Sequence, residues 1–134
     1  MSDAGEEKAL KDRVQIGLSP DGKAVLREME EQGLIGTQLD GYRLAIAMAI
    51  ANDLEPSPES SGDRENMYNM ATVDPDNEIR LLLREIYPRA SAWPNRAAES
   101  LAEQGITLMA QHAVGGTYWL GTMCQVEPPA DDAD

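Results

Sequence analysis

Apolar and polar residues alternate in the stretch RVQIGL, residues 13–18. A period of two places alternate side chains on opposite faces of a β-strand, so the pattern predicts a strand with its three apolar residues on one face. A lone strand leaves backbone N–H and C=O groups unmatched, and we therefore expect it to pair with another strand. The partner strand belongs either to a second copy of the chain or to the same chain, in MYNMATV (67–73) or near Trp119.

Two helices are predicted after this strand. Ser19 is a good N-cap and Pro20 fits the first helical position, so a helix should run over about 20–32 and end at Gly33. Thr37 caps a second helix, which continues through GYRLAIAMAIAND and is apolar on every side towards its end. A helix of that kind has to be buried within the domain or in a subunit interface. The buried residues expected on the first helix are Ala24, Val25 and Met29.

A polar loop and an amphipathic helix follow in the second half of the chain. The loop, EPSPESSGDREN over 55–66, contains two prolines and no apolar residue, and it should be exposed. Asp74 and Pro75 then start a helix over about 75–87, whose apolar residues recur at the i, i+3, i+4 and i+7 spacing of a buried face. The residues expected on that buried face are Ile79, Leu82, Leu83 and Ile86.

The remaining pattern predicts one more helix and a single mainly helical domain. NRAAESLAEQGITLMAQHAV (95–114) keeps an apolar stripe at helical spacing, and the helix either continues through Gly105 or breaks there. The fold class is therefore mainly α: a short N-terminal strand, two helices, and a helical C-terminal half in which short strands are an option. We assign residues 1–12 to a flexible acidic tail, 13–126 to the domain and 127–134 to a disordered acidic tail.

Charge limits what such a domain binds. The chain of 134 residues carries a net charge of −13, and residues 46–134 contain fifteen acids against five bases. Like charges repel, so we expect weak or absent nucleic-acid binding, with only the N-terminal third a credible contact. A solvated acidic surface and a DNA-mimic surface both explain the acidity. No apolar run approaches the ~20 residues of a membrane span, and the acidic start and the single Cys124 favour a cytoplasmic location.

Sequence motifs of enzymes are missing. The sequence has no glycine-rich phosphate loop, no GxSxG, no HExxH and no paired CxxC. His112 and Cys124 are too few for a zinc site, and helix capping explains the acidic cluster at 74–78 more simply than calcium binding does. We therefore expect no catalytic residue, no metal and no cofactor. Trp93 and Trp119 are candidate anchors for a protein partner, with core packing as the alternative for each.

The order strand, helix, helix over residues 13–53 resembles the ribbon-helix-helix superfamily of DNA-binding repressors, in which strands of two copies pair and enter the major groove. The resemblance implies a homodimer and base-reading roles for Arg13 and Gln15. It also implies phosphate contacts from the backbone at Gly36 and Thr37. A transcriptional regulator that binds operator DNA is therefore one function to weigh.

A second resemblance reaches further along the chain. The succession GYRLAIAMAIAND, DPDNEIRLLLREIYP and AESLAEQGITLMAQH is similar to the small proteins associated with the Dnd DNA-phosphorothioation systems of bacteria and archaea. The resemblance implies a non-enzymatic accessory or regulatory component of a DNA-modification or defence system, which works by binding other protein subunits. This is the function that we expect from the sequence, and the ribbon-helix-helix regulator and an acidic DNA mimic are its alternatives.

Overall fold

The chain folds around its last long helix. The computed structural model describes residues 11–59, 63–114 and 117–118. The elements are strand β1 (Gln15–Leu18), helices α1 (Pro20–Glu31) and α2 (Gln38–Ala51), strand β2 (Glu65–Asn69), helices α3 (Met70–Val73) and α4 (Glu78–Ile86), a 3-10 helix (Pro88–Ala90), helix α5 (Pro94–Gln111), and strands β3 (Ala113–Val114) and β4 (Thr117–Tyr118). The predicted fold class is confirmed: a strand and two helices are followed by a helical C-terminal half.

Helices α2 and α5 form the centre of the domain. They touch at Gly105, where an added Cβ would lie 2.0 Å from the carbonyl oxygen of Ala45. A glycine on one helix and an alanine on the other allow this close approach, and α5 therefore continues through Gly105 without a break. The apolar helix predicted to be buried is confirmed as such, because α2 buries Gly41, Tyr42, Ala45, Ile46, Met48 and Ala49.

The starts of α1 and α2 follow the predicted capping. The Ser19 hydroxyl oxygen accepts a hydrogen bond from the N–H of Gly22 at 3.0 Å, and the Thr37 hydroxyl oxygen accepts one from the N–H of Asp40 at 3.0 Å. Each bond satisfies an N–H group that the first turn of a helix leaves unpaired. After α1, Gly33 adopts a positive φ of 79°, which is the left-handed conformation expected of a glycine past a helix end.

The buried side of α1 differs in part from the prediction. Ala24 was expected in the core and is exposed, whereas Met29 is buried as predicted and Val25 is half-buried. Leu26 is completely buried and Gly22 faces the core as well. Residues 22, 26 and 29 are spaced by four and three along the helix, so they share one face, and Ala24 lies away from it.

Strand β1 pairs with β2 of the same chain. The pairing is antiparallel, with Gln15 opposite Asn69 and Gly17 opposite Asn66, and a bulge lies between Ile16 and Gly17. Pairing with MYNMATV, one of the three arrangements left open by the sequence, is therefore borne out in part. Only Met67, Tyr68 and Asn69 of that stretch are strand, and β2 begins at Glu65, so the last two residues of the predicted polar loop belong to the strand. The second half of MYNMATV forms α3.

The apolar alternation of the first strand holds only from residue 16. Ile16 and Leu18 are completely buried, whereas Val14, predicted on the same face, is exposed. Val14 lies at the end of the pairing, one residue before β1, where its carbonyl oxygen accepts the N–H of Met70 at 2.9 Å. Its side chain lies beyond the last residue pair, Gln15 and Asn69, and stays exposed.

Helix α4 starts later than predicted. Pro75 was expected to begin it, but the chain turns after Asp74, passes through Asn77 in the left-handed conformation with φ of 62°, and becomes helical at Glu78. Asp74 still caps the helix from outside, because its carboxylate accepts hydrogen bonds from the N–H groups of Ile79 and Arg80, each at 2.9 Å.

The orientation of α4 also corrects the prediction. Leu83 is completely buried and Ile79 is half-buried, so one narrow side, spaced by four residues, packs on the rest of the domain. Leu82 and Ile86, which were expected on the buried face, are exposed. The physical reason is that three consecutive leucines point in three different directions around a helix. Only Leu83 points towards the core.

Candidate functional site

A buried carboxylate lies where α5 meets β1. Glu99 is 6% exposed, and its Oε1 lies 3.0 Å from Nε of Arg13. Its Oε2 accepts a hydrogen bond from the N–H of Gly17 at 2.9 Å and pairs with Nε of Arg64. A buried carboxylate needs such partners to offset its loss of hydration. One side chain of α5 therefore ties together the start of β1 and the end of the polar loop.

A second carboxylate, one helical turn later, holds the junction of β1 and α1. Oε1 of Glu103 accepts the N–H of Ser19 at 2.9 Å, and its Oε2 accepts the Ser19 hydroxyl at 2.7 Å. Glu99 and Glu103 are four residues apart and share a helix face. Four helical residues rise ~6 Å and two strand residues ~6.6 Å, so the two carboxylates match the N–H groups of residues 17 and 19.

Both edges of β1 consequently have partners. One edge pairs with β2, and on the other edge Glu99 binds the N–H of Gly17, while Glu103 binds the N–H of Ser19, the residue directly after β1. The carbonyl oxygen of Gly17 accepts the buried Tyr42 hydroxyl at 3.0 Å. Burial, with the charge of Glu99 adding to it, raises the pKa of Tyr42 well above its ordinary value. A ribbon shared between two copies needs an open strand edge, which β1 does not offer in this arrangement.

A cleft lies beside these carboxylates, between β1, the polar loop and α5. Its volume is about 250 Å³, and Arg64, Arg96, Ser57 and Ser100 are among its lining residues. The N–H of Ser57 donates to the Ser100 hydroxyl at 2.8 Å, and Arg96 donates to the carbonyl oxygen of Pro58 at 3.0 Å. These contacts hold the loop on α5. The cleft is thus lined by groups that are already engaged with one another.

The start of α5 is capped by a residue from the amino-terminal end of the described chain. The carboxylate of Asp12 accepts the N–H groups of Asn95 and Arg96, each at 2.9 Å. The carbonyl oxygen of Arg13 accepts the amide of Asn95 at 2.6 Å. An aspartate at a helix start satisfies unpaired N–H groups and interacts favourably with the helix dipole. Asp12, the last residue that we assigned to the acidic tail, is thereby attached to the domain.

Of the four residues predicted to contact DNA, three have side-chain partners within the chain. Arg13 pairs with Glu99, and burial lowers its pKa against the opposing charge of that carboxylate. Gln15 is exposed on β1, and its side-chain oxygen accepts the amide of Asn66 at 2.8 Å. Thr37 is exposed and caps α2. Of the three, Gln15 and Thr37 remain accessible, and their DNA-binding roles stay predictions.

The other residues singled out by the sequence do not form one site. Trp93 is half-buried against the core just before α5, and Trp119 and Cys124 lie outside the described residues. His112 is the C-cap of α5. In the described ranges no group of three His, Cys, Asp or Glu side chains is placed to hold a metal ion. Within the same ranges, no helix combines the length and apolarity needed to cross a membrane.

An exposed apolar face on α4 is the feature that the sequence prediction missed. Leu81, Leu82 and Ile86 are 54%, 48% and 42% exposed, and with Val14 they make up the large hydrophobic side chains on the surface of the described part of the chain. Glu78 and Glu85 are exposed on the same helix. The five residues follow the spacing i, i+3, i+4, i+7 and i+8, which normally marks the buried face of a helix. We call them the α4 face.

One signal in the sequence could have revealed this face. The run Leu81-Leu82-Leu83, followed by Ile86, spreads apolar side chains over more than half the circumference of a single helix. A helix that lies on the surface of a small domain buries a narrower stripe than that. Some of these side chains therefore had to remain exposed, or to be covered by another protein.

Comparison with known proteins gives no relative from which a role could be transferred. The chain matches no protein-family model, no curated protein and no solved structure.

Proposed function

We propose that the protein is a non-enzymatic accessory component of a prokaryotic DNA-modification or defence system, and that it assembles with other protein subunits through the α4 face. The observation that carries the proposal is the exposure of Leu81, Leu82 and Ile86 on one short helix. Contiguous exposed apolar side chains lined by charged ones are typical of surfaces that bind proteins. Water contact with these side chains is unfavourable, and a partner that covers them gains free energy from their burial.

The character of the cleft supports a role without catalysis. Both oxygens of Glu99 are engaged by arginines and a backbone N–H, and both oxygens of Glu103 accept hydrogen bonds from Ser19. A general base or nucleophile has to reach a substrate, whereas these carboxylates hold a strand and a loop in place. The acidic pair on α5 thus has a structural role that accounts for its burial.

The arrangement of β1 favours this proposal over the ribbon-helix-helix regulator. Its pairing with β2 and its contacts with α5 use the edges through which two copies would form a shared ribbon. Arg13 is held by Glu99 instead of extending outwards. The DNA-modification setting itself rests on the resemblance of three segments of the sequence to the Dnd-associated proteins, and it is the part of the proposal that needs a direct binding experiment.

In the test, the purified chain is titrated with each purified subunit of the DNA-phosphorothioation machinery of the same organism. We expect one subunit to bind, Leu82→Glu to abolish that binding, and Arg84→Glu, on the same helix but outside the α4 face, to leave it unchanged. No binding to any subunit, or binding that Leu82→Glu does not weaken, contradicts the proposal. A parallel titration with duplex DNA from the upstream region is expected to remain in the nonspecific range of ~10⁻⁴ to 10⁻⁶ M. Nanomolar binding that Gln15→Ala removes would favour the regulator.

A further inference from the structure

We infer that the α4 face binds a protein surface that is both apolar and basic, and that presents two arginine or lysine side chains about 10.5 Å apart, the rise of seven helical residues. The inference rests on the proposed function and deepens it, because it specifies the chemistry of the subunit that covers this face. It follows from the position of the two acidic residues of the face among its apolar ones.

Glu78 and Glu85 lie within the apolar face and not beside it. Each helical residue is rotated by about 100° from the one before it, so residues seven apart lie only ~20° apart around the helix. On the same scale, Leu81 lies ~60° to one side of Glu78, whereas Leu82 and Ile86 lie ~40° and ~80° to the other side. All five side chains are exposed. A partner that covers the apolar side chains on both sides must therefore also cover the two carboxylates between them.

A carboxylate that another protein covers needs a new polar partner. In the ranges that the structure describes, neither Glu78 nor Glu85 forms an ion pair or a side-chain hydrogen bond. Water is therefore what solvates both carboxylates, and its removal by a purely apolar surface is strongly unfavourable. An arginine or lysine opposite each carboxylate replaces that water with a charge-assisted hydrogen bond. The α4 face thus selects for a basic partner and against a purely apolar one.

The helix itself does not account for the position of Glu85. It is next to the last residue of α4, at the end where the helix dipole favours cations and disfavours acids. Glu78 lies in the first turn, where the same dipole favours an acid. A cation of the partner opposite Glu85 would offset this unfavourable interaction, which no cation of the described chain does through an ion pair.

Charge also distinguishes between the proteins that could cover this face. A second α4 face laid against the first would bring two carboxylates from each copy into one interface, and both copies carry a net charge of −13, so a second copy is repelled. The same charge attracts a basic partner over a long range and speeds its association at low salt. The acidity that opposes contact with DNA therefore favours contact with a basic protein surface.

The probe for this inference is a synthetic peptide of about 20 residues, long enough to form a helix. Its leucines lie along one helix face, and two arginines, seven residues apart, lie on the midline of that face. A matched peptide has glutamine in place of both arginines. Each peptide is titrated into the isotope-labelled full chain, and the shifts of the backbone amide signals in NMR spectra locate the contact. We expect the arginine peptide to shift the signals of α4 and to bind about tenfold more tightly than the glutamine peptide.

Two double variants of the chain show which acids are responsible for this preference. Glu78→Gln combined with Glu85→Gln should bind the two peptides equally. Glu31→Gln combined with Glu59→Gln removes the same charge at exposed positions elsewhere and should keep the preference. The inference is overturned if the arginine peptide leaves the α4 signals unshifted, if the wild type binds both peptides equally, or if the preference survives the loss of Glu78 and Glu85.

Failure of the inference and failure of the proposed function give different results. A subunit of the modification machinery could bind in a manner sensitive to Leu82→Glu and bind the variant Glu78→Gln, Glu85→Gln as tightly as the wild type. The inference then fails and the proposed function stands. If the arginine peptide binds α4 as expected but no subunit of that machinery binds the chain, the proposed function fails and the basic, apolar character of the partner stands.

Discussion

The backbone N–H of Gly17 donates to Oε2 of Glu99 at 2.9 Å, across 82 residues of sequence. This bond closes the edge of β1 that faces away from β2, and Glu103 closes the same edge one turn further along α5. An open strand edge invites pairing with other chains. Here the buried Glu99 and the half-buried Glu103, both on α5, take the place that a third strand would have.

The first prediction concerns the stability that Glu99 provides. Glu99→Ala leaves Arg13, Arg64 and the N–H of Gly17 without their carboxylate partner, and the half-buried guanidinium groups are not fully hydrated in compensation. Breaking a buried ion pair is strongly destabilising, and we expect the free energy of unfolding to fall by about 3 kcal/mol. Urea denaturation measures the change, with the exposed Glu59→Ala as the control. If Glu99→Ala lowers the free energy of unfolding no more than Glu59→Ala does, the ion pairs of Glu99 contribute no net stability.

Local features of the sequence predicted a large part of the fold. The caps at Ser19 and Thr37, the burial of α2 and the end of α1 at Gly33 depend on a few neighbouring residues. The orientation of α4 was predicted incorrectly because Leu81, Leu82 and Leu83 fit several faces equally well. Packing against α5 selects Leu83, and that choice depends on contacts between distant parts of the chain.

The contacts of Glu99 could not be predicted from the sequence, because its partners lie far apart in the chain. Glu99 is contacted by residues 13, 17 and 64, and no local pattern relates these positions. One signal was present: Glu99 lies between the buried residues Ala98 and Leu101 on a helix with an apolar stripe. An acid within the buried stripe of a helix needs partners, which indicates a structural ion pair.

The second prediction concerns Gly105. Helix propensity alone favours Gly105→Ala by about 1 kcal/mol. The structure predicts the opposite, because the new methyl group would lie 2.0 Å from the carbonyl oxygen of Ala45 and would force α2 and α5 apart. We expect a loss of about 2 kcal/mol or more in the free energy of unfolding. Thermal and urea denaturation test this, and Thr107→Ala at an exposed position of α5 is the control, expected within about 0.5 kcal/mol of the wild type. Stabilisation by Gly105→Ala would contradict the close packing of the two helices.

The third prediction tests the orientation of α4. Leu83→Ala removes a completely buried side chain and should cost about 3 kcal/mol, whereas Leu82→Ala at an exposed position should change the stability by less than about 1 kcal/mol. The two substitutions are chemically identical and adjacent, so each is the matched control of the other. They are compared by urea denaturation of the purified chain. The reverse order of effects would show that the face containing Leu82 packs on the domain.

The last prediction is a pH dependence that originates in Asp74. Burial by itself disfavours its charged form, but hydrogen bonds from the N–H groups of Ile79 and Arg80, together with the guanidinium of Arg80, outweigh that effect and lower the pKa of Asp74. A carboxyl group whose pKa is lower in the folded than in the unfolded chain stabilises the fold at every pH above its unfolded value of about 4. That contribution is lost as the pH falls below this value and through the lower folded pKa.

Asp74→Asn removes the titrating group and retains an oxygen that can accept one of the capping bonds. We therefore expect the variant to be less stable than the wild type by about 1 to 2 kcal/mol at neutral pH, and the difference to shrink as the pH is lowered from about 5 towards 2. Urea denaturation at a series of pH values measures this difference, with Asp76→Asn, at an exposed position in the same turn, as the control that should show little difference at any pH. The difference in unfolding free energy between Asp74→Asn and the wild type could instead stay constant over the acidic range. The contacts at the start of α4 would then not stabilise the charged form of Asp74. The cap would then be a consequence of the turn at Asn77 and would not help to fix where the helix begins.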